Sequence, residues 1–279
     1  MLSFANIIIC TAAYGGPACG PWLQMALRVL FFIYMSMGIV MAFCLNMVHY
    51  TYRMGQSKSN PIVRVLPFFP AMLAGTVGSA VVQGQPQQAT IDITIAAVAV
   101  QGLGFLASLF VLCEYFQSLS HNGLLPPDIR PQMFIAVGPF AFTVVALLSC
   151  AMDAVRVYPA HFIKLAPSVN TMEVIVIVAA FISVFLWLMA FFACFLAVSA
   201  LLAGYRSCHF SLAWWSCIFP NCGFTIATVR IGDVLDSEGI LWVGSAMTII
   251  IAAAWVFLTS FTLWEIYYNR LLGLAEKQQ

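Results

Sequence analysis

Residues 206–229 read RSCHFSLAWWSCIFPNCGFTIATV, a basic residue followed by an apolar run with a proline near its middle. Two more stretches share this layout: residues 64–82, RVLPFFPAMLAGTVGSAVV, and residues 130–148, RPQMFIAVGPFAFTVVALL. A proline inside a helix removes a backbone hydrogen bond and clashes with the carbonyl four residues back, at about 3 kcal/mol. Because lipid offers no water to that carbonyl, such breaks are tolerated where protein or a wet cavity covers them. The repeated break predicts one cavity shared by three helices.

The composition indicates an integral membrane protein. Hydrophobic residues make up 63% of the 279 residues and charged residues 8%, against about 25% charged in ordinary soluble domains. The net charge of +1 does not indicate the basic surface that nucleic-acid binding requires. Nine cysteines stand singly within apolar runs, without metal-ligand spacing. The sequence therefore predicts the lipid bilayer as a partner, no nucleic acid, no metal site and no cofactor.

Seven apolar runs approach or exceed the roughly 20 residues that a membrane-spanning helix needs. These runs are residues 22–48, 65–82, 93–113, 132–151, 172–203, 210–231 and 240–264. Residues 2–13 form an eighth, shorter piece that covers only about 18 Å as a helix. The prediction is an all-α polytopic membrane protein, a single transmembrane domain over residues 1–279 with seven full spans and a partial one.

The basic residues set the orientation, because cytoplasmic loops are enriched in lysine and arginine. With the 49–64 loop inside, the cytoplasmic side receives Arg53, Lys58, Arg64, Arg130, Arg206, Arg270 and Lys277. The outer side then carries Arg156, Lys164 and Arg230. A cytoplasmic C-terminal tail over residues 265–279 follows from this assignment.

In that orientation each proline-broken run crosses outward and a straight run returns. The repeating unit is a helical hairpin, with copies predicted at 64–113, 130–203 and 206–264 and a partial copy at 2–48. Such a repeat predicts helices arranged about a central pore, with the broken helices inside and the straight ones outside.

The sequence argues against an enzyme. Its four histidines fall at span ends or in loops, and no GxSxG, HExxH or phosphate-cradling glycine motif is present. Glu114, near the end of a span, is the nearest candidate for a proton-coupling acid, and no buried acid is predicted.

A pore lined by hydroxyls, backbone dipoles and aromatic rings would bind an anion weakly enough to release it. Each break is followed within four to six residues by a threonine, which either faces the pore or bonds back to its own helix. The candidate pore-lining residues are Pro70, Thr76, Pro139, Phe140, Thr143, Pro220 and Thr225. Phe219 ranks highest among the aromatic residues because it directly precedes a proline near mid-span.

Two arginines are candidates for attracting anions. Arg28 lies about two turns into its helix, and Arg230 lies at the outer end of another. The alternative is that these long side chains extend to the membrane interface without a role in binding.

Four segments resemble the fungal malic-acid transporters. They are GPWLQMALRVLFFIYM at 20–35, LPFFPAMLAGT at 66–76, RPQMFIAVGPFAFT at 130–143 and FSLAWWSCIFPNCGFTIAT at 210–228. The wider family includes plant guard-cell slow anion channels, sulfite exporters and bacterial tellurite-resistance proteins. The resemblance covers nearly the whole chain.

This resemblance implies ten helices in five hairpins around a pore that a phenylalanine occludes, and the motif places that gate at Phe219. It implies transport of malate or other C4-dicarboxylates across a fungal plasma membrane, and a homotrimer. The family has two more helices and most of a third before the position of Ile7, so the chain is expected to be N-terminally truncated. The alternatives are export of sulfite or another inorganic anion, a seven-helix receptor, and a nonconducting truncated protein.

Overall fold

The computed structural model describes residues 1–52, 61–158, 170–204, 206 and 208–268. Outside this part of the chain fall the predictions for Arg53, Lys58, Lys164, Arg270, Lys277 and residues 269–279 of the tail.

The described residues form α-helices joined by short 3-10 segments, and no strand occurs among them. The helices are α1 Leu2–Cys10, α2 Pro21–Tyr52, α3 Phe69–Met72, α4 Ala74–Val81, α5 Gln87–Asn122, α6 Val137–Val157, α7 Thr171–Leu202, α8 Phe219–Val234 and α9 Glu238–Tyr267. Three 3-10 segments precede α3, α6 and α8, namely Pro61–Phe68, Pro127–Ala136 and Leu212–Cys217. A π-helical turn, Thr11–Gly15, extends α1.

Among the described residues, seven helical stretches are long and apolar enough to cross a membrane, with lengths of 21 to 36 residues. Each predicted span lies inside one of these stretches or extends beyond it by at most two residues, and α1 with its π turn forms a shorter apolar helix, Leu2–Gly15. The predicted class, an all-α polytopic membrane protein, is confirmed.

The three prolines lie in the first turns of α-helices and not in their interiors. Pro70 is the second residue of α3, Pro139 the third of α6 and Pro220 the second of α8. A first-turn N–H has no partner within the helix, so proline is tolerated there. The predicted loss of an interior hydrogen bond is therefore wrong. The break is instead a change from 3-10 to α geometry at each junction.

Side chains cover carbonyls at these junctions, as the absence of water in lipid requires. The Tyr34 hydroxyl donates to the Pro70 carbonyl at 2.7 Å, and the Thr143 hydroxyl donates to the Pro139 carbonyl at 2.7 Å. The Asn221 amide donates, also at 2.7 Å, to the last carbonyl of the third 3-10 segment. The junctions thus remain hydrogen-bonded within the protein.

The broken stretch around α6 forms the centre of the molecule. Of the 18 consecutive residues with the highest mean hydropathy in this stretch, 94% are buried. The corresponding buried share is 67% in the stretch containing α3 and α4 and 33% in the stretch containing α8. In the straight helices α2, α5, α7 and α9 this share is 28%, 39%, 17% and 6%. Helix α6 packs on α4, α5, α7 and α8, while α9 packs mainly on α8.

Helix α5 approaches the first junction so closely that only glycine fits. A Cβ on Gly104 would lie 2.8 Å from the backbone nitrogen of Met72 and 3.0 Å from the carbonyl carbon of Ala71. Gly102, two residues earlier on the same helix, would meet nothing within 4 Å.

Gly104→Ala should therefore destabilise the fold, whereas Gly102→Ala should not. Overpacking at Gly104 is expected to lower the free energy of unfolding by about 1–3 kcal/mol. The control, Gly102→Ala, replaces glycine by a better helix former. It should leave the free energy of unfolding unchanged or raise it by up to about 1 kcal/mol. Thermal unfolding of the two purified variants in detergent, followed by circular dichroism, compares them. Equal midpoints would contradict the close approach.

Candidate functional site

Three phenylalanine rings meet where the broken helices come together. Phe142 and Phe219 stack with ring centroids 4.8 Å apart and planes inclined by 29°. Phe69 lies 5.9 Å from Phe219 and 6.3 Å from Phe142. Phe69 and Phe219 are the first residues of α3 and α8, each directly before its proline. We call these three residues the phenylalanine cluster.

Two glycines make room for the rings. A Cβ on Gly138 would lie 2.5 Å from Cζ of Phe69, and a Cβ on Gly223 would lie 2.8 Å from Cζ of Phe142. The exposed fractions of Phe69 and Phe142 are 1% and 5%. The cluster is thus held by close packing from the neighbouring helices as well as by ring contacts.

A polar cavity of about 460 Å³ lies beyond the cluster, between α1, α4, α6 and α8. Thr76 and Ile226 each come seven residues after a cluster ring, which places the cavity about 10 Å along the helices. It is lined by Ile9, Thr76, Ser79, Ala80, Gln83, Val145, Ser149, Met152, Asp153, Arg156, Ile226 and Arg230. The phenylalanine cluster lies towards the N-terminal ends of α3, α6 and α8, and later residues of α4, α6 and α8 line this cavity. The three proline-broken stretches, called the inner helices below, therefore run in the same direction.

Asp153 is the buried acid of this cavity, with an exposed fraction of 5%. Its Oδ2 accepts a hydrogen bond from the Ser79 hydroxyl at 2.6 Å, and its Oδ1 accepts one from the Gln83 amide at 3.1 Å. Arg156 and Arg230 are both close enough to interact with its charge. The cavity therefore combines two guanidinium groups with one carboxylate.

Sequence reasoning missed Asp153, and the expectation that no acid is buried is wrong. The predicted span ended at residue 151, whereas α6 continues to Val157. Ser149, Asp153 and Arg156 are spaced by four and three residues, so they share one helix face. That polar spacing is the signal that would have found Asp153 and Arg156.

The predicted pore-lining threonines differ in their surroundings. Thr76 lines the cavity, and its buried hydroxyl has no hydrogen-bond partner in the structure. Thr143 and Thr225 instead donate to carbonyls four residues back in their own helices, at 2.7 and 2.9 Å. Thr143 and Thr225 therefore follow the alternative prediction, in which the threonine hydroxyl bonds to its own helix.

Other predicted site residues lie away from the cavity. The Phe140 ring pairs with Phe105 of α5 at 6.0 Å and does not belong to the phenylalanine cluster. Arg28 lines a separate space of about 430 Å³ at the start of α2. Of the two predicted anion-attracting arginines, only Arg230 lines the polar cavity.

Two pairs of charged side chains lie elsewhere in the described part of the chain. Glu114 forms an ion pair with Arg64, which ties α5 to the first 3-10 segment. The ring Nδ1 of His209 lies 3.2 Å from Oδ1 of Asp128. No group of three or more histidine, cysteine or acidic side chains suited to a metal ion occurs in the described part of the chain.

Broken helices that run in the same direction, with a phenylalanine cluster next to a cationic cavity, are typical of membrane channels and transporters. The chain belongs to the SLAC1 family, described as voltage-dependent anion channels, which it matches over residues 1–263. The predicted family resemblance is confirmed. Because this is a family of channels and transporters, the match also supports the prediction that the chain is not an enzyme.

Three relatives are similar over most of this chain. A malic acid transport protein of Schizosaccharomyces pombe is 31% identical over 264 residues, covering 92% of this chain and 59% of its own length. A putative malic acid transport protein of the same organism is 30% identical, covering 98% of this chain and 63% of its own. A sulfite efflux pump of Arthroderma otae is 24% identical, covering 95% and 69%. The chain thus spans about six tenths of the length of the malic acid relatives. No solved structure matches it significantly.

Asp153→Ala should destabilise the packing of α4 on α6. It leaves the Ser79 hydroxyl and the Gln83 amide without their acceptor, which is expected to lower the free energy of unfolding by about 1–3 kcal/mol. Asp233→Ala makes the same change at an exposed position of α8 and should alter stability by about 0.5 kcal/mol or less. Chemical unfolding in detergent measures both. If the two variants unfold alike, Asp153 does not link the helices.

Proposed function

We propose that this chain is the conducting part of an anion transporter that carries malate and other C4-dicarboxylates. The observation that carries the proposal is the position of the phenylalanine cluster next to the polar cavity, between helices that run in the same direction. The names of the two malic acid relatives support an organic anion as the substrate. Membership of the anion-channel family favours this function over the seven-helix receptor alternative.

The proposed path runs between α4, α6 and α8. Phe219 is the gate, and its stacking on Phe142 closes the path in the conformation described. An apolar ring that fills the path excludes water and so prevents a hydrated anion from passing. Opening requires Phe219 to leave Phe142 and Phe69, two aromatic contacts worth about 0.5–1.5 kcal/mol each.

The cavity supplies the proposed anion site. Arg230 and Arg156 attract the anion, and the unpartnered Thr76 hydroxyl can donate to it once it loses part of its water. The carboxylate of Asp153 offsets part of the arginine charge, which weakens the binding. A site in a conduction path must release its ion, so weak binding suits transport.

In the proposed setting the protein spans a fungal plasma membrane, with the C-terminus in the cytoplasm, and assembles as a homotrimer. The positive-inside rule supports the orientation, because Arg64, Arg130 and Arg206 then share the cytoplasmic side. The trimer rests on family resemblance alone. A nonconducting protein remains the alternative if reconstituted chain carries no anion.

Sulfite is the second candidate substrate, because a sulfite efflux pump is among the relatives. Parallel uptake assays with radiolabelled malate and sulfite in proteoliposomes compare the two. Faster uptake of malate at equal concentration is the expected outcome. Uptake of sulfite alone would replace the dicarboxylate proposal and leave the anion path in place.

Phe219→Ala should increase anion flux. Removing the ring abolishes two aromatic contacts that stabilise the closed state. The rate of anion flux is therefore expected to increase about tenfold. Phe110→Ala is the matched control, because Phe110 lies on α5 with 79% of its surface exposed. Malate efflux from proteoliposomes is measured for parent and variants. An unchanged flux in Phe219→Ala, while the parent conducts, would remove the gate assignment.

Arg230→Gln should reduce malate uptake at low ionic strength. Loss of one cationic side chain from the cavity is expected to lower the uptake rate about three- to tenfold. Raising the salt concentration screens exposed charges, so the difference between parent and variant should shrink. Arg28→Gln is the comparison, because Arg28 lines a different space. An equal loss in both variants would contradict a specific role for Arg230.

A further inference from the structure

We propose that the cleft between α7 and α9 binds one acyl chain of a membrane phospholipid. The cleft encloses about 510 Å³ and lies on the side of α8 that carries Asn221 and Phe224. It is separate from the polar cavity and shares no lining residue with it. Helix α9 packs on α8, and α7 packs on α6 and α8, so the space between the two outer helices is left open.

One wall of the cleft is a row of stacked aromatic rings on α7. Trp187 and Phe191 lie 5.8 Å apart with planes inclined by 15°, and Phe191 and Phe195 lie 6.4 Å apart at 22°. Residues spaced by four lie along one face of a helix, so this wall is smooth and extends over about two turns. The Trp187 indole N–H donates to the Thr228 hydroxyl at 2.8 Å, which fixes the first ring.

The opposite wall is aliphatic and comes from α9. Met247, Ile250 and Ala254 line it at spacings of three and four residues. Methionine is flexible and fills irregular space, while Ala254 leaves the wall shallow at its position. A slot with one smooth aromatic wall and one adaptable aliphatic wall suits a flexible hydrocarbon chain.

The polar groups near the cleft are already satisfied. The Asn221 amide donates to the Cys217 carbonyl at 2.7 Å, and its side-chain oxygen accepts from the Cys194 thiol at 3.6 Å. The other lining side chains are apolar or cysteine. Buried water needs two to four polar partners, and apolar cavities stay dry. A hydrated ligand or a lipid headgroup therefore finds no partner here, whereas hydrocarbon does.

The cleft is continuous with the lipid-facing surface. Phe195 and Ile250, which line it from opposite walls, are 63% and 66% exposed. Both flanking helices span the hydrocarbon region and bury little of their surface within the chain. Acyl chains already surround these helices, so one chain enters from the bilayer without crossing a polar layer. A second protein copy would instead have to present a narrow ridge that fits between α7 and α9.

The bound chain would contact the segment that carries the proposed gate. Cys217 and Ile218 line the cleft, and Phe219 follows them directly. Hydrocarbon in the cleft would restrict movement of this junction away from the phenylalanine cluster. Acyl-chain binding itself does not depend on the proposed transport function.

Three consecutive alanines on α9 allow a matched test of the site. Ala254 lines the cleft, whereas Ala253 is exposed and does not line it. Ala254→Trp fills the slot, and Ala253→Trp adds the same bulk on the lipid-facing surface. Parent and variants are reconstituted in phosphatidylcholine vesicles containing a phosphatidylcholine with a diazirine in one acyl chain. After illumination, mass spectrometry locates and quantifies the adducts.

In the parent, adducts are expected on α7 and α9 residues of the cleft, above the level on other lipid-exposed helices. Ala254→Trp should reduce the cleft adducts at least tenfold, and Ala253→Trp should retain them. Adducts spread evenly over α2, α5, α7 and α9 in the parent would overturn the proposal without any variant. Equal yields in the two variants, or a cross-linked second copy of the chain at the cleft, would also overturn it.

Discussion

The structure depends on one constraint, that every backbone group in the bilayer must find its hydrogen-bond partner within the protein. The three inner helices change from 3-10 to α geometry inside the apolar layer, and each change risks an unpaired carbonyl. At the first change Tyr34 of α2 donates to the Pro70 carbonyl, whereas Thr143 and Asn221 donate to carbonyls four residues back in their own stretches. The first change of geometry is therefore supported by a straight neighbouring helix, and the other two by side chains that follow the change.

The same junctions place the side chains of the candidate site. Where α3 and α8 begin, the residue before proline is a phenylalanine, and both rings point to the place where the inner helices meet. At the start of α6 that position is Gly138, which leaves space for the ring of Phe69. Phe142, further along α6, supplies the third ring. One kind of backbone junction thus brings the phenylalanine cluster together, and the α-helices that follow it carry the polar residues of the cavity.

Much of the fold could be predicted from the sequence, because long apolar runs can be satisfied in lipid only as helices or closed barrels. The repeated proline located the three inner helices, and the position of Phe219 directly before one of them singled it out. Side-chain direction was harder to predict. Phe140 and Phe142 both lie close to Pro139 in the sequence. Which of the two rings joins the phenylalanine cluster depends on how α6 is rotated about its axis after the 3-10 segment. The pattern of apolar residues does not show that rotation.

The missed acid has a different cause. The predicted span ended at residue 151, two residues before Asp153, and a charged residue in an apolar run is usually found near the membrane surface. The structure instead buries it, and this is tolerable because two donors bond its oxygens and two arginines lie near it. A buried charge without such partners would be far too costly.

The balance of charge in the cavity bears directly on the proposed transport. Two arginines without Asp153 would hold a carboxylate tightly, since paired guanidinium groups bind carboxylates through several charge-assisted hydrogen bonds. With an ionised Asp153 the three side chains carry a net single positive charge, enough to favour an anion over a cation. The negative charge of Asp153 also repels an arriving anion, so the anion gains less from the arginines. In the proposed path, this site attracts its ion and releases it again, which is what a conducting path requires.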